Sequence, residues 1–380
     1  MKLTARQLNR ATLDRQLLLR RRRTSVVEAV DAVCALQAQS PASPYLALWN
    51  RISGFDAAGL DRAFAARQLV KATLMRLTKH VVTARAYPAV WAALVPDLRR
   101  ARLYDERFTV AGLSIEETDA LVPALHAWAD QGRASAEFEA WIAERAGVPG
   151  RPVWWALRHI GPFVYAPTGG PWSFGDRSHF SAPSSTPYAA DRAAAMAHLV
   201  RSYLGAFGPA TEADLNQFTM MPMPPIRDGL AVLADELVSY EGPNGKPLLD
   251  LRGAHLPPED AMAPPRFLGM WDEILLAYRD RSRVITPEIR SHVSRLNGDT
   301  LPTVLVDGYV AGVWRPAPGS ASGVEVTALR KLDAATWTSL EREAGRLVRF
   351  LSSREPNVYA RYAHWWSKLP PDAEVRVLAA

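Results

Sequence analysis

Apolar positions set the rhythm of this chain. Leu8, Leu13, Leu17 and Leu18 recur at helical spacing, and the run from Val26 to Leu36 predicts a second apolar helix. The period then shortens. From Val70 to Val82 the chain alternates in a strand-like way, with β-branched residues and neither Gly nor Pro. Helix, helix and strand is the order of a winged helix, in degenerate form. A cleaner copy follows. Ser114-Ile115-Glu116-Glu117 is a capping-box pattern opening a helix through Leu121, Leu125 and Trp128. A second helix carries Phe138, Trp141 and Ile142 and ends near Gly147, and a third spans Val153–Ile160 before Gly161-Pro162. Phe163–Ala166 and Trp172–Phe174 read as short strands around a Gly-Gly turn.

The plan then repeats. A helix over Arg192–Ala206, one starting at Thr211 and one from Pro224 to Ala234 precede strands Leu237–Glu241 and Pro247–Leu251, which flank a Gly-Pro-Asn-Gly-Lys turn. The repetition is one of pattern, since the residues do not align. Beyond two proline-rich loops at 256–258 and 263–265, Thr303–Val306 and Tyr309–Trp314 enclose Asp307-Gly308, the strongest short hairpin signal in the chain. A strand at Val324–Thr327, an amphipathic helix over Thr336–Ser352 and a strand near Glu374–Leu378 follow. The pattern predicts a predominantly helical α+β chain. It has three tandem winged-helix motifs (1–110, 111–186 and 187–256) and a C-terminal β-hairpin and helix portion (257–380).

Composition narrows the class. With 380 residues, 48% hydrophobic and 22% charged, the chain reads as a soluble globular protein of two to four small domains. No apolar run approaches the roughly 18–20 residues that span a bilayer, and the first seven residues lack an apolar signal core, so a cytoplasmic location is expected. A single cysteine, Cys34, excludes an internal disulfide and any four-thiolate iron–sulfur cluster, and reads as a small core residue. A net charge of +6 favours a polyanionic partner. Arg20–Arg23 is the densest basic run and Arg99-Arg100 with Arg102 the second. Such runs are solvated faces in most proteins, and here they are candidates to track phosphates. The twelve tryptophans sit largely at helical spacing, as at Trp154, Trp155 and Trp337, which favours core packing over base stacking.

One polar step stands out at the end of the Val26–Leu36 run. Gln37-Ala38-Gln39 precedes Ser40-Pro41, and Pro41 biases Ser40 away from the helical region. Residues two apart point roughly 200° apart on a helix but share a side in extended chain, so both amides then converge on one spot. An amide orients a water, or a developing positive charge, without a charge of its own. The plain alternative is a polar helix end capped by a serine.

Further blocks join this one: Leu69–His80, with Arg76, Thr78 and His80; Tyr203–Thr211 with Asp214-Leu215; Trp271–Arg281; and Leu301–Gly308. Each alone is weak, but in this order and spacing the chain resembles, along nearly its whole length, the AlkZ and YcaQ family of tandem winged-helix DNA glycosylases. It resembles the branch with two glutamines rather than the one with a glutamine and an aspartate.

The resemblance implies hydrolysis of the N-glycosidic bond of bulky or crosslinked N7-alkylpurines, leaving an abasic site, with Gln37 and Gln39 as the catalytic residues. No lysine is obviously paired with that motif, so no strand cleavage is expected, and neither is a metal or cofactor. The implied partner is alkylated double-stranded DNA, met by a bacterial monomer at the nucleoid through an open, basic concave surface. Repair or self-resistance against a genotoxic natural product would be its role.

Candidate DNA contacts are Lys79 and His80 at the close of the first wing, the hairpin tip Asp307, Gly308 and Tyr309 for groove insertion, and Arg279 and Arg281. Against these stand a structural His80, a core-stapling hairpin over a buried Trp314, and an internal ion-pair element at 279–281. A non-catalytic winged-helix regulator or lesion-binding protein is the competing function, which release of free base separates from the enzyme.

Overall fold

The computed structural model describes residues 1–175, 177–185, 191–319 and 323–379, without the side chains of residues 96, 99–102 and 160. The chain starts with α1 (Ala5–Arg15) and α2 (Val26–Ala32), each opened by a reciprocal capping box, Thr4 with Gln7 and Ser25 with Glu28. The apolar run expected to stay helical to Leu36 does not. It leaves the helix after Ala32, turns through Cys34 at φ +70°, and enters β1 (Leu36–Gln37). Next come α3 (Ser43–Arg51), α4 (Ala57–Ala65), β2 (Leu69–Thr73), β3 (Lys79–Thr83), α5 (Tyr87–Leu103) and α6 (Glu106–Thr109). The strand-like stretch 70–82 is thus two strands. It reverses at Met75–Leu77 without Gly or Pro, with Arg76 and Leu77 both at φ +55°.

The middle of the chain supplies α7 (Ile115–Trp128), β4 (Arg133–Ala134), α8 (Ser135–Ala146), α9 (Gly150–Ile160), β5 (Val164–Ala166) and β6 (His179–Ser181). Ser114 and Glu117 form the expected capping box, and Gly147 closes α8 at φ +67°. Trp172–Phe174 is not a strand: Trp172 is buried edge-on against Tyr45, and its indole N–H is hydrogen-bonded to Glu355. The strands form one antiparallel sheet in the order β1-β3-β2-β5-β6-β4, continuous across residue 110 through the Lys71–Tyr165 register. Two segments expected to be separate units therefore share a sheet.

The three helices α10 (Arg192–Phe207), α11 (Glu212–Thr219) and α12 (Met223–Val232) precede the hairpin of β7 (Leu237–Glu241) and β8 (Pro247–Leu251), as the pattern predicts. The C-terminal part holds β9 (Arg266–Phe267), α13 (Pro287–Val293), β10 (Thr303–Val306), β11 (Tyr309–Pro316), β12 (Val324–Ala328), α14 (Ala334–Ser352) and β13 (Val375–Leu378), with a sheet ordered β13-β12-β11-β10-β9. Two apolar cores cross these segments. One joins Leu46, Trp154, Trp314 and Leu340, and the other Trp91, Tyr203, Phe218 and Leu305.

Residues 266–278 cross the interior as short strand and 3₁₀ turn, with backbone groups that the surrounding segments satisfy. Asn50 Nδ2 donates to the Phe267 carbonyl (2.7 Å), Trp314 Nε1 to Leu268 (2.8 Å) and Tyr203 Oη to Ala277 (2.9 Å). Arg51 grips Asp272 with both terminal nitrogens at 2.8 and 2.9 Å and also reaches Gln16 Oε1 at 3.0 Å, with both charged side chains 1% exposed. A buried pair of this kind adds little over an apolar pair of the same shape, but removing one partner strands the other charge. Arg51→Met and Asp272→Asn should each cost about 3–5 kcal/mol. The double variant should cost clearly less than their sum in denaturant melts. Additive losses would show that the two side chains do not depend on each other.

Candidate active site

Gln37 lies in β1 opposite His80 of β3, and its side chain is turned inward, with the residue 5% exposed. The turn at Met75–Leu77 aims Arg76 back at it. Arg76 Nη2 donates to Gln37 Oε1 (3.1 Å) and to both oxygens of Glu273 (2.8 and 2.9 Å), while Nη1 donates to the Phe218 carbonyl (2.8 Å). The hydroxyl of Thr78 lies 3.2 Å from Gln37 Nε2. His80 is fully buried, with Nδ1 2.9 Å from the Thr78 carbonyl and Nε2 2.9 Å from Glu273 Oε1. The left-handed backbone at Arg76, unfavourable for a side chain of this size, persists because the bonds to Gln37, Glu273 and Phe218 over-determine it.

The charges balance. Burial pushes the Glu273 carboxyl up, but the Arg76 guanidinium and the His80 hydrogen bond outweigh it and hold the group below the usual carboxylate range. Burial lowers His80 further than Glu273 raises it, so the ring favours its neutral form. The outcome is a neutral amide fixed in one orientation by a compensated ion pair. The Thr78 hydroxyl also lies 3.3 Å from Gln37 Oε1, and Nε2 keeps a second hydrogen for an incoming group.

Gln39, two residues on, is exposed and makes no side-chain hydrogen bond among the described residues. It lines a different cavity, of about 90 Å³, together with Lys71, Lys79, Tyr165, Phe174 and Arg361. Lys71, on β2, is 3% exposed with Nζ 4.3 Å from the Phe174 ring centroid. Burial and the neighbouring Lys79 push its pKa down to about 7. Burial, then Arg361 and Arg158, also lower Lys79. The expectation that no lysine stands near the motif is corrected: the sheet brings two to Gln39.

The remaining candidates fare unevenly. His80 has no exposed surface and serves Glu273, so phosphate contact is closed to it in this conformation. The Asp307-Gly308 tip is docked on α1 rather than presented for groove insertion. Asp307 is paired with Arg6 at 2.8 Å and with Arg10, and a Cβ on Gly308 would come within 2.5 Å of Asn9 Oδ1. Tyr309 beside it is half-buried. Arg279 is exposed, with its backbone N–H on Asp214 Oδ1 (2.8 Å). Arg281 is partly buried and is lowered to about 10 by burial, then by Arg290 and Arg76. Among the described residues neither arginine makes an ion pair, so 279–281 is not an internal ion-pair element; Asp280 instead caps a 3₁₀ turn. In the first basic run Arg21 pairs with Glu343 and lies over Trp49, while Arg20 and Arg23 are exposed; the side chains of Arg99, Arg100 and Arg102 lie outside the described residues.

Sequence reasoning missed Glu273 and Lys71. Glu273 lies in the block Trp271–Arg281, where two adjacent acidic residues, Asp272 and Glu273, before Ile274–Ala277 were the available signal. For Lys71 the alternation gave no such signal, since Val70, Ala72 and Leu74 form the apolar face; Lys71 is enclosed because both faces of β2 are covered.

A sequence family described as DNA glycosylase AlkZ-like matches residues 30–350. An interstrand DNA cross-link repair glycosylase of Streptomyces sahachiroi is 29% identical over 345 residues, covering 83% of this chain and 88% of that protein. The solved structure of the Streptomyces sahachiroi DNA glycosylase AlkZ superposes with a TM-score of 0.76 at 23% identity, over 93% of this chain and 98% of that one. Among the described residues no helix is long and apolar enough to cross a membrane.

Lys71 generates a stability prediction. Between its folded value of about 7 and its ordinary value of 10.5 the unfolded chain holds a proton that the folded chain lacks, so stability rises with pH across that window. The penalty is greatest at and below pH 7. Lys71→Met should therefore melt a few degrees above the wild type at pH 7, with the gap closing towards pH 10. A lower melting temperature at both pH values would mean that the ammonium has a stabilising partner.

Proposed function

We propose that this chain, which belongs to the family of AlkZ-like DNA glycosylases, hydrolyses the N-glycosidic bond of bulky or crosslinked N7-alkylpurines and leaves an abasic site. The observation that carries this reading is the inward Gln37 amide, fixed by Arg76 and Thr78 over the buried Glu273–His80 pair, with Gln39 two residues on, exposed at a separate cavity. An N7-alkylpurine is already cationic, so its departure needs no strong acid. What remains is to hold a water at C1′ and to tolerate an oxocarbenium-like transition state. The open valences of Gln37 and Gln39 suit both tasks. Glutamine is a weak base, so rate rests on the substrate's own instability and ordinary purines are spared. The name of the Streptomyces sahachiroi relative, an interstrand cross-link repair glycosylase, supports crosslinks as substrates.

The units formed by α7–α9 with β4–β6 and by α10–α12 with β7–β8 read as winged helices, and the first segment as a degenerate one. A bulky or crosslinked adduct resists full extrusion from the duplex, which favours an open binding surface over a deep base pocket. On this reading the protein acts as a monomer in the bacterial cytoplasm, in repair or self-resistance against an alkylating natural product.

The test is release of free base from duplexes carrying N7-methylguanine or a nitrogen-mustard crosslink, under single turnover. Wild type should release base, and the Gln37→Ala/Gln39→Ala double variant should do so at least about a hundredfold more slowly, the scale on which single preorganised groups act. Equal rates remove the two glutamines from the mechanism. Borohydride should trap no covalent enzyme–DNA adduct; trapping would turn the reaction into a lysine-dependent one and point to Lys71.

A further inference from the structure

The cavity at Gln39 contains an arrangement that folding alone does not account for. Lys71 is almost wholly buried, and among the described residues no carboxylate pairs with it and no acceptor bonds its ammonium. Its neighbours are also cations. Lys79 stands on the paired strand with Nζ 5.3 Å from the Tyr165 centroid, Arg361 lines the same cavity, and Arg158, close to Lys79, has a buried Nε without a partner. Burying an uncompensated ammonium beside like charges is unfavourable, and the fold has acidic residues elsewhere with which to neutralise it. Such a site is complete only when an anion enters.

We propose that the Lys71–Lys79–Arg361 cavity is a phosphodiester subsite that takes one of the two phosphates flanking the damaged nucleotide. The inference rests on the action on duplex DNA proposed above, and it gives that reading a register. Gln39 lines the same cavity, so a phosphate held by Lys71 and Lys79 places the adjoining sugar at Gln39. The aromatic rings of Tyr165 and Phe174 exclude water and confine the two ammonium groups, so they meet the non-bridging oxygens from fixed positions. Lys71 and Lys79 are thus positioning residues: they fix where the backbone sits and leave the glycosidic bond to the amides.

The experiment measures duplex binding and single-turnover base release for wild type, Lys71→Met and Lys79→Gln across a range of salt concentrations. Each DNA carries one N7-methylguanine, with either natural flanking phosphates or one replaced by an uncharged methylphosphonate. Each variant should bind about tenfold more weakly, the effect of losing one charge-assisted contact. Its salt slope should fall by about one. One flanking methylphosphonate should cost wild type at least as much, and should cost each variant less than it costs wild type. Inorganic phosphate up to millimolar levels should not mimic the effect; competition by it at those levels would assign the cavity to a free anion and overturn the proposal. Wild-type affinity and salt slope in both variants, or losses from variant and methylphosphonate that multiply, would also overturn it. Failure of the glycosylase reading is separate, since it appears as absence of base release by wild type whatever the binding data show.

Discussion

The buried carboxylate of Glu273 is the constraint on which the site depends. A charge with almost no exposure must be paired and hydrogen-bonded, and its partners Arg76 and His80 come from a hairpin nearly two hundred residues earlier. Satisfying Glu273 therefore fixes the left-handed turn at Arg76, and through Arg76 it fixes the orientation of the Gln37 amide. One residue before Glu273, Asp272 is held by Arg51 from α3, so the same short segment is tied twice to the N-terminal part of the chain. The Gln37 amide inherits its rigidity from those two ion pairs.

The two glutamines do different jobs in this arrangement. Gln37 is preorganised, with most of its surroundings satisfied before any substrate arrives, whereas Gln39 is exposed at the mouth of a cationic cavity. An amide whose orientation is set in advance loses little entropy when a water binds, and a neutral one attracts no counterion that would have to leave. Stability is sacrificed for this at Lys71, where a buried ammonium with no carboxylate partner among the described residues opposes folding near neutral pH. Ion pairs where rigidity is needed, and an unpaired cation where an anion is to be received, are a coherent division of the molecule.

Much of this was legible in the order of residues, because periodicity and capping are local. Helices α7–α12 and the β7–β8 and β10–β11 hairpins follow the apolar rhythm, with Ser114, Gly147 and Thr211 marking their ends. The failures have a common cause. The Val26–Leu36 run has helical composition throughout, but tertiary pairing of Leu36 with Val81 pulls its end into a sheet. The turn at Arg76 carries no turn residue, since the carboxylate of Glu273 stabilises it from a distance. The Asp307-Gly308 tip is a hairpin as its sequence says, yet whether it faces solvent was decided by Arg6 and Arg10 on α1. Gln37 and Gln39 were visible as a motif; Glu273 and Lys71 became visible only once strands from different segments lay side by side.

The dependence of Gln37 on Glu273 is the centre of this account, and a double-mutant cycle on the rate of base release tests it most directly. Gln37→Ala, Glu273→Gln and the double variant would be compared with wild type under single turnover on N7-methylguanine duplex, with folding checked by melting. If Glu273 acts by holding Gln37 through Arg76, the amide loses its orientation once the carboxylate is gone, and Gln37→Ala should then cost little more. Effects that simply multiply would contradict the account and make the two residues independent.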